Sequence, residues 1–233
     1  GVGAEFPYPP HALFFFAPFA LVPYLLAYGA WNAASAAFFW WAARSYLPKG
    51  FPSIVSVLTP AALLCIVFGQ TGLLVGGLWL LAFRGKWPAV ALLPIKPHVG
   101  FLSLLSIRDW STFLRIAVLA LGLIAASIAF FGLSTWAGFV DRALLHADLV
   151  AGGERWRHAS VSPAVIYGLW GWIPFAAGGA LLLARKVNVF TAATATCLIA
   201  PFGFHYAMPV GCLGFGLLLV TNWTKMQFRE RLR

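Results

Sequence analysis

Apolar runs decide what this chain can fold into. Tyr24–Ala43, Phe113–Phe131 and Pro163–Leu183 are nearly free of charge, with Arg115 the single exception. A helix of roughly 20 apolar residues spans a ~30 Å hydrocarbon core. Outer-membrane barrels are written instead in ~10-residue alternating segments, and no such alternation is present. Charged residues make up 9% of the chain, against about 25% in an ordinary soluble domain. The sequence therefore predicts an all-α protein, a polytopic transmembrane helical bundle forming one domain over residues 1–233.

Further runs are Ser53–Phe68, Leu73–Phe83, Val187–Phe204 and Ala207–Thr221, each read as a span. His11–Val22 is bracketed by Pro9-Pro10 and Pro23. It is too short to cross and reads as re-entrant or interfacial. Trp87–Ile107 is long enough to enter a bilayer but carries Lys96-Pro97 inside it. A lysine at membrane depth costs roughly 2.5–3.5 kcal/mol on insertion scales. The proline removes a backbone donor and breaks the helix. Irregular backbone at that depth is tolerated only where protein or a wet cavity surrounds it.

The formal charge of +10 does not indicate nucleic acid, because the basic residues collect at the ends of apolar runs, the positive-inside pattern. Arg44 and Lys49 share a loop, as do Arg84 and Lys86; Arg108 and Arg115 flank another, and Arg185 and Lys186 a fourth. Lys225, Arg229, Arg231 and Arg233 form a tail. Placing all of these on the cytoplasmic side puts both flanks of Trp87–Ile107 on one side. That segment then goes in and returns, turning at Lys96-Pro97-His98. About seven full spans and two partial ones result, with a cytoplasmic C-terminus. Residues 133–162 become an outer loop, whose pattern suits a short amphipathic helix on the outer leaflet or equally an ordered lid. Cys65, Cys197 and Cys212 fall inside apolar runs without metal-ligand spacing and read as small core residues.

The six carboxylates lie outside the spans. Asp109 and Glu230 sit beside basic residues on the inner side. Asp141, Asp148 and Glu154 alternate with Arg142, Arg155 and Arg157 in the outer loop, as a solvated face does. Glu5 lies outside, close to the membrane. An ion-coupled transporter usually carries an ionisable residue within a span, and Lys96 is no carboxylate. Polar groups at the outer turns are better candidates for chemistry. Gln70 follows Gly69 at the tip of a hairpin, where glycine allows close backbone approach. His205 and Tyr206 lie between two spans on the same side; histidine suits proton transfer near neutral pH, and tyrosine suits an interfacial anchor. Lys96 could bind an anionic group such as a phosphate. Asn222-Trp223-Thr224 matches a glycosylation sequon but falls on the cytoplasmic side.

These pieces together resemble glycosyltransferase family 87, polyprenyl-phosphate-sugar-dependent enzymes of the C-type membrane glycosyltransferase superfamily. Tyr8-Pro9-Pro10 and the run ending Leu21-Val22-Pro23 are similar to its Tyr-Pro-Pro segment. Phe68-Gly69-Gln70-Thr71-Gly72 is similar to its Gly-Gln-Asn hairpin, with Thr71 where asparagine is common. Lys96-Pro97-His98 resembles its Lys-Pro-Gln break, and Phe131-Gly132 through Trp136 its Phe-Gly-x-x-x-Trp. Ala200-Pro201 through His205-Tyr206 to Pro209 resembles a late segment in which a second histidine or an aspartate often stands where this chain has Tyr206.

The resemblance implies an inverting hexosyltransferase. It would move mannose or another hexose from a polyprenyl-phosphate-sugar to a hydroxyl of a glycolipid or glycan on the outer face of a bacterial inner membrane. It implies no cofactor. His205 is the expected catalytic residue, in proton handling or contact with the leaving phosphate. Tyr8, Gln70, Lys96, His98 and Tyr206 are the expected substrate-binding residues, with Lys96 at a cavity floor away from the outer face. The family's catalytic aspartate precedes the Tyr-Pro-Pro segment, so it is expected upstream of Gly1, after one more span; a chain from Gly1 alone is then expected to be inactive. Glu5 lies too near Tyr8 to take that role. The rival reading is a non-catalytic transporter or scaffold for lipids or small molecules. Discontinuous helices suit a transporter, but the inverted repeat that would favour it is not visible.

Overall fold

A computed structural model describes residues 8–152, 163–200 and 208–217. Among them the chain is helical throughout, with no strand, as the uninterrupted apolar runs require. The α-helices are α1 (Leu13–Phe16), α2 (Tyr24–Ala43), α3 (Pro60–Phe68), α4 (Gly72–Phe83), α5 (Trp87–Leu92), α6 (Pro97–Gly100), α7 (Trp110–Phe131), α8 (Leu133–Gly152), α9 (Pro163–Arg185) and α10 (Val189–Ile199). Residues 209–217 are also helical. Short 3₁₀ helices cover Pro10–Ala12, Ala17–Leu21, Ser53–Leu58, Leu93–Ile95 and Phe101–Ser106.

The central pillar is α4. Leu73, Val75, Leu78, Trp79, Leu80 and Ala82 are all buried, and a helix that is apolar all round belongs in an interior. Helix α2 packs along it. Phe39 and Phe38 press on Gly76 and Gly77, where an added Cβ would stand 2.9 and 2.5 Å from those rings. Small residues at such a seam let two helices approach closely where no water drives them together. Tyr46 reaches the same helix from the following loop and donates to the Leu80 carbonyl at 2.7 Å. Burial pushes its phenol up, with Arg84 opposing. On another side, α10 packs against α9, and Trp172 Nε1 donates to the Leu198 carbonyl at 3.1 Å. Helix α10 starts at a capping box in which Asn188 and Thr191 satisfy each other's backbone N–H groups.

Helix α7, with 22 residues and a mean hydropathy of 2.3 over an 18-residue window, is the one helix among the described residues long and apolar enough to cross a membrane. Val118, Leu121 and Phe130 on it are 71%, 64% and 79% exposed. So broad an apolar surface is unusual for a protein in water. Asp109 starts this helix by accepting from the Thr112 N–H and hydroxyl, both at 2.8 Å. Those two bonds hold its carboxyl below the usual range, with Arg115 adding to them. A depressed carboxyl contributes fully above its unfolded pKa of about 3.9 and loses its contribution as pH falls through the lower folded value. Protection factors of the Ser111–Phe113 amides, referred to intrinsic exchange at each pH, should therefore fall on acidification below about pH 4, and be low in Asp109→Ala at every pH. Equal protection in both proteins would show the cap to be idle.

Several expected spans are broken. Ser53–Phe68 is a 3₁₀ segment followed by the nine-residue α3, because Pro60 cannot continue a helix from Thr59. Instead Thr59 caps α3, its hydroxyl accepting from the Ala62 N–H at 3.4 Å. Helix α9 bends at Gly168, where φ is 70°. The amphipathic helix of the outer loop, expected to be short, is α8 at 20 residues, turned off α7 at Gly132 (φ 82°). Apolar runs that look continuous in sequence are thus divided by proline and glycine.

The break at Lys96-Pro97 is present. Helix α5 tightens into Leu93–Ile95, Lys96 takes φ −137° and ψ 76°, and α6 restarts at Pro97. The bend brings Gly100 onto the Leu93 carbonyl, where an added Cβ would lie 2.7 Å from the oxygen. Seven residues along a straight helix span about 10 Å, so α5 and Phe101–Ser106 do not share an axis.

Candidate functional site

The tip of the α3–α4 hairpin organises the site. Gly69 ends α3 in the left-handed region, φ 60° and ψ 33°, which glycine adopts without penalty. The Gln70 N–H then reaches back to the Cys65 carbonyl at 2.8 Å. Tyr28 of α2 closes the end of α3 from outside, its hydroxyl lying 2.7 and 2.8 Å from the Ile66 and Val67 carbonyls. Those are carbonyls that a helix end leaves without intrahelical partners. Gln70 itself is half-buried.

Tyr8 joins this tip. Its hydroxyl lies 3.1 Å from Thr71 Oγ1, and Thr71 is buried. Burial pushes the Tyr8 phenol up, and the Thr71 bond offsets part of that. The residue that departs from the family's asparagine is therefore the one that fastens the Tyr-Pro-Pro segment to the hairpin.

Lys96 is 6% exposed and lies within electrostatic reach of Cys65 and of His98. The Cys65 sulfur in turn receives the backbone N–H groups of Gly72 and Leu73, the first of α4. Lys96 therefore belongs with the hairpin. The bend at Pro97 sets it beside Cys65 of α3. His98 is half-buried beside it. Cys65 is a fully buried core residue, as its apolar run predicts, and it also lies within electrostatic reach of Tyr8 and Lys96, which that run does not indicate. The available signal was its position one helical turn before Gly69, which puts it on the hairpin's own end.

A small cavity lies next to this cluster, with room for about one water at roughly 20 Å³. Val75 and Trp79 of α4, Val99 of α6, Thr196 and Cys197 of α10, and Met208 line it. His205 and Tyr206 lie outside the described residues, as do Glu5 and Glu154. The chain on either side of them is placed: Thr196 and Cys197 before and Met208 after both border the cavity, beside the residue that follows His98. Among the described residues, no three His, Cys, Asp or Glu side chains gather as metal ligands.

The family model of glycosyltransferase family 87 matches residues 6–221. The chain belongs to glycosyltransferase family 87. No curated protein and no solved structure matches it. Family 87 membership makes the protein a membrane glycosyltransferase by class, with a sugar donor and an acceptor as its substrates. Within that family assignment the structure brings Tyr8, Thr71, Gln70, Lys96 and His98 into one neighbourhood from three separate stretches of chain. What this neighbourhood offers chemically is one buried cation, two hydroxyls, an amide and an imidazole. That set can bind a phosphate and hydroxyl groups. Of the described carboxylates, Asp109 is engaged in capping α7 and Asp141 is exposed on α8, so neither supplies a base to it.

Proposed function

We propose that this protein transfers a hexose, mannose being the first to test, from a polyprenyl-phosphate-sugar to an acceptor hydroxyl on the outer face of a bacterial inner membrane, with inversion at the anomeric carbon. The observation that carries the reading is the family match together with the buried lysine set beside the hairpin tip. In such a transfer the oxygen of the acceptor attacks the anomeric carbon as the bond to the donor phosphate breaks. The departing phosphate gains charge, and a preorganised cation in a dry site is the strongest stabiliser for it. Lys96 takes that part. Gln70 and His98 hydrogen-bond the sugar or phosphate, and Tyr8 and Tyr206 bound the site. His205 contacts the leaving phosphate or handles the acceptor's proton.

The exposed apolar flank of α7 supports a membrane setting in which the lipid tail of the donor stays in the bilayer. The polytopic arrangement, with about seven spans and a cytoplasmic C-terminus, is part of the same proposal and rests on the distribution of basic residues. The reading is tested with the full-length protein in proteoliposomes, given a mannosyl polyprenyl phosphate and candidate glycolipid acceptors. Expected are release of polyprenyl phosphate and a product of inverted anomeric configuration. Hexose movement across the membrane without bond breakage would favour a transporter instead. In the same assay His205→Ala should lower turnover by about two to four orders of magnitude, the usual range for a positioned acid or base. Undiminished transfer would remove His205 from the mechanism.

A further inference from the structure

His11 stands between two of the motifs and has no part in the chemistry assigned above. The residue is 5% exposed, and its Nδ1 is buried without a hydrogen-bond partner. Buried imidazole nitrogens are ordinarily satisfied, since a desolvated polar atom left alone is costly. The ring lies on the indole of Trp136, with centroids 5.9 Å apart and planes at 21°. That indole is held firmly. Its Nε1 donates to Ser127 Oγ at 2.9 Å, the fully buried Ser127 donates on to the Ile124 carbonyl at 2.8 Å, and Phe139 meets the indole edge-on at 6.1 Å. Three residues before His11, Tyr8 is fastened to Thr71. Three residues after it, Phe14 packs on Phe130 and Phe131 at the end of α7. The segment carrying the imidazole is thus held between the hairpin and a half-buried tryptophan, with Nδ1 uncommitted.

We propose that His11 is a sugar-contact residue whose Nδ1 hydrogen-bonds a ring hydroxyl of a hexose seated between the Tyr8–Thr71 contact and Trp136. The inference rests on the transferase reading and adds to it the group that senses the saccharide. A neutral imidazole nitrogen can accept from or donate to a hydroxyl, and the neighbouring indole adds apolar ring surface beside it. The combination suits a pyranose, which has both an apolar C–H face and hydroxyls. It suits a bare phosphate poorly, for a phosphate needs cationic or multiple donors. Nδ1 is covered, and the hexose engages it as the imidazole turns about its Cβ–Cγ bond, which moves no backbone.

The test is equilibrium binding to the whole protein in detergent micelles, with three probes: a mannosyl polyprenyl phosphate, the same polyprenyl phosphate without sugar, and soluble methyl mannoside. His11→Phe keeps a flat ring on Trp136 and removes the nitrogen. His11→Asn keeps a polar atom near the place of Nδ1 and guards against a loss caused by misfolding. His11→Phe should weaken binding of a sugar-bearing probe by roughly five- to tenfold, His11→Asn should restore most of it, and the sugarless phosphate should bind all three proteins alike. Weakening confined to the mannosyl lipid assigns the contact to the donor sugar; weakening confined to methyl mannoside assigns it to the acceptor. Unchanged affinity for both sugars overturns the proposal, as does an equal loss for the sugarless phosphate. Turnover is measured in parallel on the full-length wild-type protein. Sugar binding without transfer to any acceptor would sink the transferase reading while leaving the His11 comparison decisive.

Discussion

Lys96→Met is expected to reduce hexose transfer by about two to three orders of magnitude, the cost of removing one preorganised stabiliser of developing charge, while leaving the protein at least as stable. The two readouts separate the lysine's possible roles. Methionine fills a similar volume and is flexible enough to occupy the same space. A buried cation carries a large desolvation penalty, and replacing buried charge with a well-packed apolar group is often neutral or stabilising. Lys96 is 6% exposed and sits at a backbone break beside Cys65 and His98. A purely architectural lysine would therefore give an active variant with an altered melting temperature. A phosphate-binding lysine gives a folded, inactive one. The measurements are initial transfer rates in proteoliposomes and thermal unfolding in detergent. Normal rates in Lys96→Met would remove the lysine from the site.

Gly100→Ala is expected to destabilise the protein by about 1–3 kcal/mol or more, the usual penalty for overpacking a close-packed interior. The neighbour in the way is the Leu93 carbonyl, 2.7 Å from where the Cβ would stand. A backbone oxygen cannot step aside by changing rotamer, so the bend itself must open. Because the bend carries Lys96 to the hairpin, transfer should fall along with stability. Gly122→Ala in α7 is the control: a Cβ there meets nothing within 4 Å, and alanine in a helix interior is favoured over glycine by about 0.8–1.0 kcal/mol. That variant should unfold at a higher temperature than the wild type. Equal stability of Gly100→Ala and the wild type would mean that the bend is looser than described.

Much of the fold could be read directly. Apolar runs with so few charges leave helices as the only economical way to satisfy the backbone, and among the described residues helices without strands are what is found. Gly69-Gln70-Thr71-Gly72 turns as expected because a positive φ is needed after α3 and only glycine meets it cheaply. The Lys96-Pro97 break follows from the missing amide of proline. Span lengths were harder to read. Hydropathy averages over Thr59-Pro60 and over Gly168, whereas the backbone cannot, and so Ser53–Phe68 became two short pieces and α9 acquired a kink.

The site divides in the same way. Tyr8, Gln70, Lys96 and His98 were marked by unusual residues in apolar surroundings, a signal that needs no coordinates. Their partners were not marked. Thr71 looked like a departure from a family pattern, and only the 3.1 Å contact with Tyr8 gives it a task. His11 looked like the first residue of an apolar run, and only the packing of Pro10–Ala12 against α7 and α8 puts it on Trp136.

By itself, then, the sequence determined the helical class, the membrane character, the family and the positions where the backbone must turn. Composition and local stereochemistry settle these residue by residue. Which motifs meet was decided only in three dimensions. The degree of the bend at Gly100 depends on a contact seven residues back along the chain, and it is this bend that sets Lys96 beside Cys65 of α3.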